Sequence, residues 1–477
     1  MKEFTFKTGG AHPEENKITK NSPFVPLTPP VVAVIPLSQH IGAPNTPLVK
    51  VGDHVKIGQV IGSANAFVSA PVHATISGEV VAIELRPFPL GTKVQSVIIK
   101  NDFKEEWISN LKGIESLESS SKEDLIKNIR DKGIVGMSGA TFPTAVKLSP
   151  PKDKVIDVII ANGAECEPCL TTDYRVMMEY PEKIINGLLI EMKITEAKHG
   201  IVAIETNKKD AAVLLEENVK KRGLDNIEVV LVKTKYPQGG EKQLIKAVLR
   251  KEVPAEKLPL EVGAIVQNVG TLKAISEAVF EGKPLIERGV TVSGSAIKKP
   301  GNYIIRIGTT VTDIIQQTGG LTKKLRKLIF GGPMMGIAQS TTEVAVTKGT
   351  SGILFFGEEV FDMAPQDESP CIRCSRCVDW CPIGLMPLLI DHAWRRDDIK
   401  LTETLNATDC IECGVCSYVC PSKRHLTENV RNAKQKILKQ RKIETAKQAA
   451  FEKIKALKAK KAQEAKEKLD EGKKVNG

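Results

Sequence analysis

Eight of the ten cysteines in this chain fall in two runs near its C-terminal end, and both runs have the pattern C-x-x-C-x-x-C-x-x-x-C-P. The second run begins 39 residues after the first. The runs comprise Cys371, Cys374, Cys377 and Cys381, then Cys410, Cys413, Cys416 and Cys420. Three closely spaced thiolates on one loop can hold three irons of a cubane cluster. The spacing therefore predicts two 4Fe-4S clusters.

The same spacing occurs in bacterial two-cluster ferredoxins, in which the fourth cysteine of each run ligates the other cluster. On that pattern the first cluster is assigned to Cys371, Cys374, Cys377 and Cys420. The second is assigned to Cys410, Cys413, Cys416 and Cys381. Clusters that exchange ligands lie close together, so we expect the pair to act as an electron relay.

Zinc sites and reduced core cysteines are the alternatives for these runs. Tetrahedral zinc takes four ligands, often as paired C-x-x-C, and would leave the third and fourth cysteine of each run without a role. A disulfide framework is disfavoured, because residues 1–10 lack the apolar stretch of a signal peptide. The other two cysteines, Cys166 and Cys169, form an isolated C-x-x-C without a nearby histidine, and we predict no ligand role for them.

Length and composition predict several compact domains. With 477 residues, 41% of them hydrophobic, the chain is too long for a single core. No window approaches 18 uninterrupted apolar residues, so no membrane-spanning helix is predicted. The net charge of +11 comes from the tail, since residues 422–477 hold 18 Lys+Arg and 7 Asp+Glu against 50 and 50 in the rest.

Apolar patterning divides the chain before the cysteine runs into modules. Residues 49–83 read as short strands around glycine turns, like the barrel-sandwich fold of lipoyl and biotinyl domains, but no carrier lysine lies between Lys56 and Lys93. A mostly parallel α/β sheet follows, because apolar, β-branched strands alternate with amphipathic helices. The predicted strands are Val155–Ala161, Ile201–Ile204, Ile227–Val232 and Val262–Val266, and the predicted helices include Lys208–Lys221 and Glu241–Arg250.

A small mixed α+β module follows from Arg288 to Ser340, with one helix near residues 311–318. After the cysteine runs, a Lys-, Ala-, Glu- and Gln-rich stretch with few helix breakers predicts a long charged helix or a partly disordered arm. The predicted divisions are 1–24 (N-terminal segment), 25–104 (barrel-sandwich module), 122–285 (α/β domain), 286–345 (mixed module), 362–428 (cluster domain) and 429–477 (helical tail).

Three segments of the α/β domain carry residues that suit a phosphate-bearing cofactor. The loop of residues 133–144 contains three glycines, which allow backbone amides to approach a ligand closely. Glu165 and Glu167 follow the first predicted strand, at the edge where open parallel sheets bind ligands. Residues 267–271 open a helix whose N-terminal amides could hold a phosphate. An ordinary turn, solvated acids and a simple helix cap are the alternative interpretations.

Together these segments resemble a known family. The glycine loop ending Phe142-Pro143-Thr144, then residues 162–168, 236–241 and 268–271, look in that order like the FMN- and NADH-binding subunit of respiratory complex I. Gly9-Gly10-Ala11-His12-Pro13 stands in front, the barrel-sandwich module precedes the flavin domain, and the double cluster motif follows it. Over residues 1–425 the chain is similar to the RnfC family of the Rnf complexes.

The resemblance implies a peripheral electron-transfer subunit on the cytoplasmic face of a bacterial membrane complex, where electrons pass between ferredoxin and NAD while ions are pumped elsewhere. It also implies a Rossmann-like FMN/NADH domain and an SLBB-type β-grasp module at residues 286–345. FMN is expected to contact Gly133, Gly136, Gly139, Asn162, Asn268 and Thr271. Glu165 and Glu167 are expected on the side of the nicotinamide, with NAD(H) as substrate and no side-chain nucleophile.

Partners implied by the resemblance are the membrane subunits of such a complex, a ferredoxin-type donor or the complex's own iron-sulfur subunit, and the membrane surface. No nucleic acid is expected. Two alternative functions remain at this point: a soluble flavin and iron-sulfur cobalamin reductase, in which the barrel-sandwich module follows the others, and a cluster-only adaptor without flavin. The basic tail favours contact with a membrane or a partner over a simple solvated helix.

Overall fold

A computed structural model describes residues 1–109, 111–358 and 368–474, with side chains up to residue 460. The chain forms two compact units, residues 1–366 and 367–477. The predicted start of the cluster domain at residue 362 and the last three residues of the predicted tail lie outside the described residues. Among the helices described, none combines the length and the apolar character needed to cross a membrane.

The N-terminal segment is not wholly irregular, because it contributes one strand to each of two sheets. Strand β1 (Glu3–Phe4) extends the sheet of the α/β domain, and β2 (Phe24–Pro26) extends the sheet of the mixed module. Between these strands Ala11 exchanges two backbone hydrogen bonds with Tyr236. The segment therefore links the α/β domain to the mixed module.

Two small sheets form the barrel-sandwich module. Their orders are β3-β9-β8-β5 and β4-β6-β7. The strands are β3 (Val32–Pro36), β4 (Thr46–Pro47), β5 (His54–Val55), β6 (Val60–Ser63), β7 (Val72–His73), β8 (Gly78–Pro87) and β9 (Lys93–Asn101). Ile35, Ile61 and Ile99 are among the buried aliphatic side chains that fill the space between the two sheets.

The α/β domain has a five-stranded parallel sheet in the order β1-β12-β11-β10-β13. Its strands after β1 are β10 (Val158–Gly163), β11 (His199–Glu205), β12 (Ile227–Val232) and β13 (Ala264–Asn268). Its helices are α1 (Lys122–Asp131), α2 (Thr144–Lys147), α3 (Thr172–Glu179), α4 (Pro181–Thr195), α5 (Lys209–Lys221), α6 (Glu241–Leu249) and α7 (Val269–Glu281). The mostly parallel sheet predicted from the β-branched runs is confirmed.

Alternate residues of the strands enter two separate cores, one on each face of this sheet. Ile159 packs on the face that α4 and α7 cover, whereas Ile160 packs on the face that α6 covers. Burial on both faces explains why the strands are continuous apolar runs. Strand β10 begins three residues later than predicted, because Val155 lies in a turn and is 73% exposed.

The mixed module is a six-stranded sheet in the order β17-β16-β18-β14-β15-β2, with one helix. Its elements are β14 (Glu287–Ser293), β15 (Gly301–Arg306), α8 (Val311–Gln317), β16 (Lys327–Phe330), β17 (Ile337–Gln339) and β18 (Gly352–Phe356). Thr310 begins α8 with a capping box, in which its hydroxyl accepts from the Asp313 amide and Asp313 accepts from the Thr310 amide.

The second unit is helical. It contains α9 (Arg376–Asp379), α10 (Pro387–Arg395), α11 (Ile399–Thr404), α12 (Val415–Tyr418) and α13 (Leu426–Lys474). The first turns of α13 pack on the rest of the unit through the buried side chains of Val430, Ala433 and Ile437. From residue 442 to residue 460 the side chains of α13 are exposed, which agrees with the predicted charged helical tail.

Candidate cofactor sites

The glycine loop after α1 is fixed to the sheet at its base and open at its tip. The Met137 amide donates to Thr271 Oγ1 at 2.9 Å, and Arg288 donates to the Met137 carbonyl at 3.2 Å. Beyond this base, Ser138, Gly139 and Ala140 are exposed. No atom lies within 4 Å of the position that a Cβ on Gly139 would take, and its φ is +68°. A ligand can therefore approach the backbone at this tip.

Gly133 has a different role from Gly139. A Cβ here would lie 2.5 Å from the Pro71 carbonyl and 2.7 Å from Lys348 Nζ. Lys348 is 1% exposed and donates to the carbonyls of both Pro71 and Gly133 at 2.7 Å. Burial lowers its pKa to about 7. Gly133 thus joins the glycine loop to the barrel-sandwich and mixed modules and does not face the open tip.

Asn162 stands at the carboxyl end of β10, where the sheet predicts a ligand. Its side chain donates to the Gly239 carbonyl at 2.9 Å and accepts from the Ala164 amide at 3.1 Å. Gly239 in turn donates to Cys166 Sγ at 3.4 Å. These contacts lock the loop after β10 to residues 236–240, so Asn162 shapes the site.

Asn268 and Glu165 meet at the start of two helices. Asn268 caps α7 by accepting from the Gly270 amide at 2.8 Å, and its side-chain amide donates to Asp173 at 2.8 Å. Glu165 is 6% exposed and accepts from the Asp173 amide at 2.8 Å and the Tyr174 amide at 3.4 Å in the first turn of α3. Burial and the neighbouring Glu165 raise the pKa of Asp173 to about 7.

Glu165 is thus neither a solvated acid nor free to point at a nicotinamide in this structure. Glu167 is also engaged, because its carboxylate accepts from the amides of Met334 and Met335. Burial raises the pKa of Glu167, although these two amides oppose the shift. The two acids predicted together therefore hold different neighbours.

Flavin is the ligand class that these segments fit by their donors. The exposed tip of the glycine loop offers backbone amides, and α7 begins beside it through Thr271. Two buried polar atoms on the same segments, Thr144 Oγ1 and Gln238 Nε2, have no hydrogen-bond partner among the described residues. Buried polar atoms are ordinarily paired, so they are candidates for bonding a bound cofactor.

The two cysteine runs of the second unit share one backbone conformation. Arg373 and Glu412, the second residues after the first cysteines, have φ of 54° and 57°. Ser375 and Gly414, two positions further on, have φ of 60° and 80° and begin α9 and α12. Left-handed residues at equivalent positions turn each loop so that its sulfurs face inwards, as cluster ligation requires.

The thiols fall into the two predicted sets. Cys377 interacts electrostatically with Cys420, Cys371 and Cys374. The other set shares an apolar cavity, which is lined by Cys381, Cys410, Cys413 and Cys416 together with Pro382, Ile383, Ile411 and Val430. Amides donate to sulfur at 3.3 Å from Leu385 to Cys381 and from Glu412 to Cys410. A buried thiol set with amide donors is chemically suited to an iron-sulfur cluster.

Asp391 braces the cluster unit from within α10. It is 2% exposed and accepts from Arg395 at 2.9 Å, from Arg424 Nε at 3.1 Å and from Asn429 at 2.6 Å. Burial acts to raise its pKa, but these hydrogen bonds together hold the pKa below its ordinary value. Because Arg424 follows the second cysteine run and Asn429 lies in α13, Asp391 ties three segments together.

Replacing Asp391 with alanine is expected to destabilise this unit by about 3 kcal/mol, since it leaves the largely buried Arg424 unpaired. The contribution should be complete above about pH 4 and lost as the pH falls through the depressed pKa. Urea unfolding followed by cluster absorbance at several pH values measures both effects. The control is Glu403→Ala, which breaks an exposed ion pair with Arg441 and should cost less than about 1 kcal/mol.

Several residues that shape these sites were not predicted from the sequence. They are Lys17, Asp173, Arg288, Lys348, Asp391 and the loop of residues 331–336. Only that loop carried a visible signal, the glycine-rich run G-G-P-M-M-G between two strands. The buried charged residues carry none, because charged side chains are mostly exposed in proteins.

The site and fold define a flavin and iron-sulfur electron-transfer protein, and comparison with known proteins specifies the family. Four family models match: the RnfC barrel sandwich hybrid domain at residues 4–104, the Nuo51 FMN-binding domain at 129–277, the SLBB domain at 290–338 and the 4Fe-4S dicluster domain at 370–424. The barrel-sandwich module precedes the others, which is the order that disfavours a cobalamin reductase.

Two curated relatives extend along nearly the whole chain. The RnfC protein of the Na⁺-translocating ferredoxin:NAD⁺ oxidoreductase complex of Acetobacterium woodii is 46% identical over 93% of this chain and 99% of its own length. The RnfC protein of the proton-translocating complex of Clostridium ljungdahlii is 46% identical over 89% of this chain and 93% of its own. The chain belongs to the RnfC family of ion-translocating ferredoxin:NAD⁺ oxidoreductase complexes, as the resemblance predicted.

Among solved structures, an NAD⁺-reducing [NiFe]-hydrogenase in its H2-reduced state matches with a TM-score of 0.47 and 19% identity, over 65% of this chain and 61% of that chain. The family models confirm the predicted FMN and 4Fe-4S cofactors at the level of whole domains.

Proposed function

We propose that this chain is the electron-transfer subunit of a membrane-associated complex that couples electron flow between reduced ferredoxin and NAD⁺ to ion translocation, and that it lies on the cytoplasmic face. The observation that carries the proposal is the presence of an FMN-binding domain and a 4Fe-4S dicluster domain in one chain. The names of the relatives support the same activity and the other subunits of such a complex as partners.

The pairing of these domains has a chemical reason. A nicotinamide exchanges two electrons as a hydride, whereas an iron-sulfur cluster exchanges one at a time, and bound FMN supplies the conversion between the two. The chain then needs no nucleophile. Its residues have to bind the cofactors, exclude water and set distances and potentials, and the buried thiols with amide donors suit the last of these tasks.

For the clusters we propose the crossed ligand sets. Cys371, Cys374, Cys377 and Cys420 hold one cluster, and Cys410, Cys413, Cys416 and Cys381 hold the other. The electrostatic contact between Cys377 and Cys420 and the cavity that Cys381 shares with the second run support this assignment.

For FMN we propose direct contact with the backbone of Gly136 and Gly139 and with the start of α7 at Thr271. Gly133, Asn162 and Asn268 act one layer further out, because their contacts are with Lys348, Gly239 and Asp173. Glu165 and Glu167 then affect the nicotinamide side through the segments that they hold.

Membrane vesicles test the function directly. Vesicles from cells that lack this chain are expected to lose ferredoxin-dependent NAD⁺ reduction, and expression of the intact chain should restore it. Expression of Cys377→Ala, which removes a proposed cluster ligand, should not. Unchanged NAD⁺ reduction without the chain, or full restoration by Cys377→Ala, contradicts the proposal.

A further inference from the structure

A loop of the mixed module is bound to the α/β domain through one carboxylate. The loop comprises residues 331–336, with the sequence G-G-P-M-M-G. The Met334 amide donates to Glu167 Oε2 at 3.1 Å, and the Met335 amide donates to Glu167 Oε1 at 2.9 Å. Successive backbone amides that converge on one carboxylate form a charge-assisted contact, which is stronger than a neutral hydrogen bond.

The shape of the loop depends on this approach. A Cβ on Gly332 would lie 2.1 Å from Glu167 Oε2, so only glycine leaves room for the carboxylate. The Gly336 amide closes the turn by donating to the Gly332 carbonyl at 2.8 Å. The loop is therefore a tight turn built around the side chain of Glu167.

The other contacts of Glu167 lead to the proposed cofactor site. Tyr236 donates its hydroxyl to Glu167 Oε1 at 3.3 Å, and residues 236–240 are locked to Asn162 by its bond to Gly239. Lys17 donates to the backbone carbonyls of Glu165, Glu167 and Leu170 at 3.0, 3.0 and 2.6 Å. The segment that presents Glu167 is thus fixed from behind, while its carboxylate faces the loop.

We propose that Glu167 is a positioning residue and that the loop of residues 331–336 forms a wall of the FMN and nucleotide site. The inference rests on the proposed flavin function and goes beyond it, because it makes the mixed module part of that site. It also changes the expected role of Glu167, which acts on the cofactors through the loop and not by contact with the nicotinamide.

Hydrogen exchange on flavin-free protein tests the clamp. In Glu167→Gln, amide exchange in the peptide that covers Met334 and Met335 is expected to accelerate about tenfold, because one charge-assisted bond is lost. Gly332→Ala should accelerate it at least as much by pushing the loop away. The double variant should add little to the larger single effect, since both changes break one contact. Glu343→Gln, an exposed glutamate of the same module, is the control.

Cofactor binding tests the wall. The FMN dissociation constant is expected to rise about tenfold in both Glu167→Gln and Gly332→Ala, while thermal unfolding confirms that both variants fold. Unchanged exchange in Glu167→Gln overturns the clamp, and faster exchange with unchanged FMN affinity overturns the wall. A rise in KM for NADH in Glu167→Gln alone also overturns the proposal, because it indicates direct contact. Wild-type protein that binds no FMN instead contradicts the proposed function, and the exchange result still decides the clamp.

Discussion

Replacing Cys420 with alanine is expected to reduce the iron content of the purified protein from about eight to about four atoms per chain. The loss should fall on the cluster held by the first cysteine run, because the fourth ligand of each cluster comes from the other run. Cys377 interacts electrostatically with Cys420, whereas the second run shares its cavity with Cys381.

Double substitutions separate the crossed arrangement from an uncrossed one. Cys377→Ala with Cys420→Ala should retain about four irons, since both residues then belong to one cluster, whereas Cys413→Ala with Cys420→Ala should lose nearly all iron. The reverse result would show that each run holds its own cluster. Cys169→Ala is the control and should leave the iron content unchanged.

Replacing Arg288 with methionine is expected to weaken FMN binding about a hundredfold. The buried guanidinium donates to the carbonyls of Met137 and Thr350 at 3.2 Å, so it fixes the base of the glycine loop to the mixed module. Two hydrogen bonds to a charged donor contribute about 3 kcal/mol together, which corresponds to about two decades in affinity.

Flavin fluorescence quenching during titration of flavin-free protein measures this change. The matched control is Arg326→Met in the same module, whose side chain is 46% exposed and paired with Glu358. If Arg288→Met binds FMN as tightly as the control, the base of the glycine loop does not determine the affinity of the site.

Much of the fold was predictable because its signals are local. The β-branched run Ile227–Val232 became β12 without a change of boundary, and the amphipathic segment predicted from residue 208 became α5 with one residue fewer. The two cysteine runs identified the clusters because ligand spacing within a loop is set by chain geometry, which the sequence displays directly.

The fine structure of the flavin site was less predictable, because it depends on contacts between distant segments. Lys348 is buried only because carbonyls of Pro71 and Gly133 meet it, more than 200 residues away in the sequence. Glu165 and Glu167 were predicted as one acidic pair, but one caps α3 and the other holds a loop of another module. Sequence position indicated the correct edge of the sheet, but not what each side chain contacts there.

The most direct test of the whole account is anaerobic purification of the chain, followed by iron, sulfide and flavin analysis and an absorbance scan before and after NADH. The account predicts about eight irons, as much sulfide, one FMN per chain, and bleaching of both the flavin and the cluster bands by NADH. Protein that carries the irons but no FMN, and does not bleach with NADH, would contradict it and leave a cluster-only adaptor.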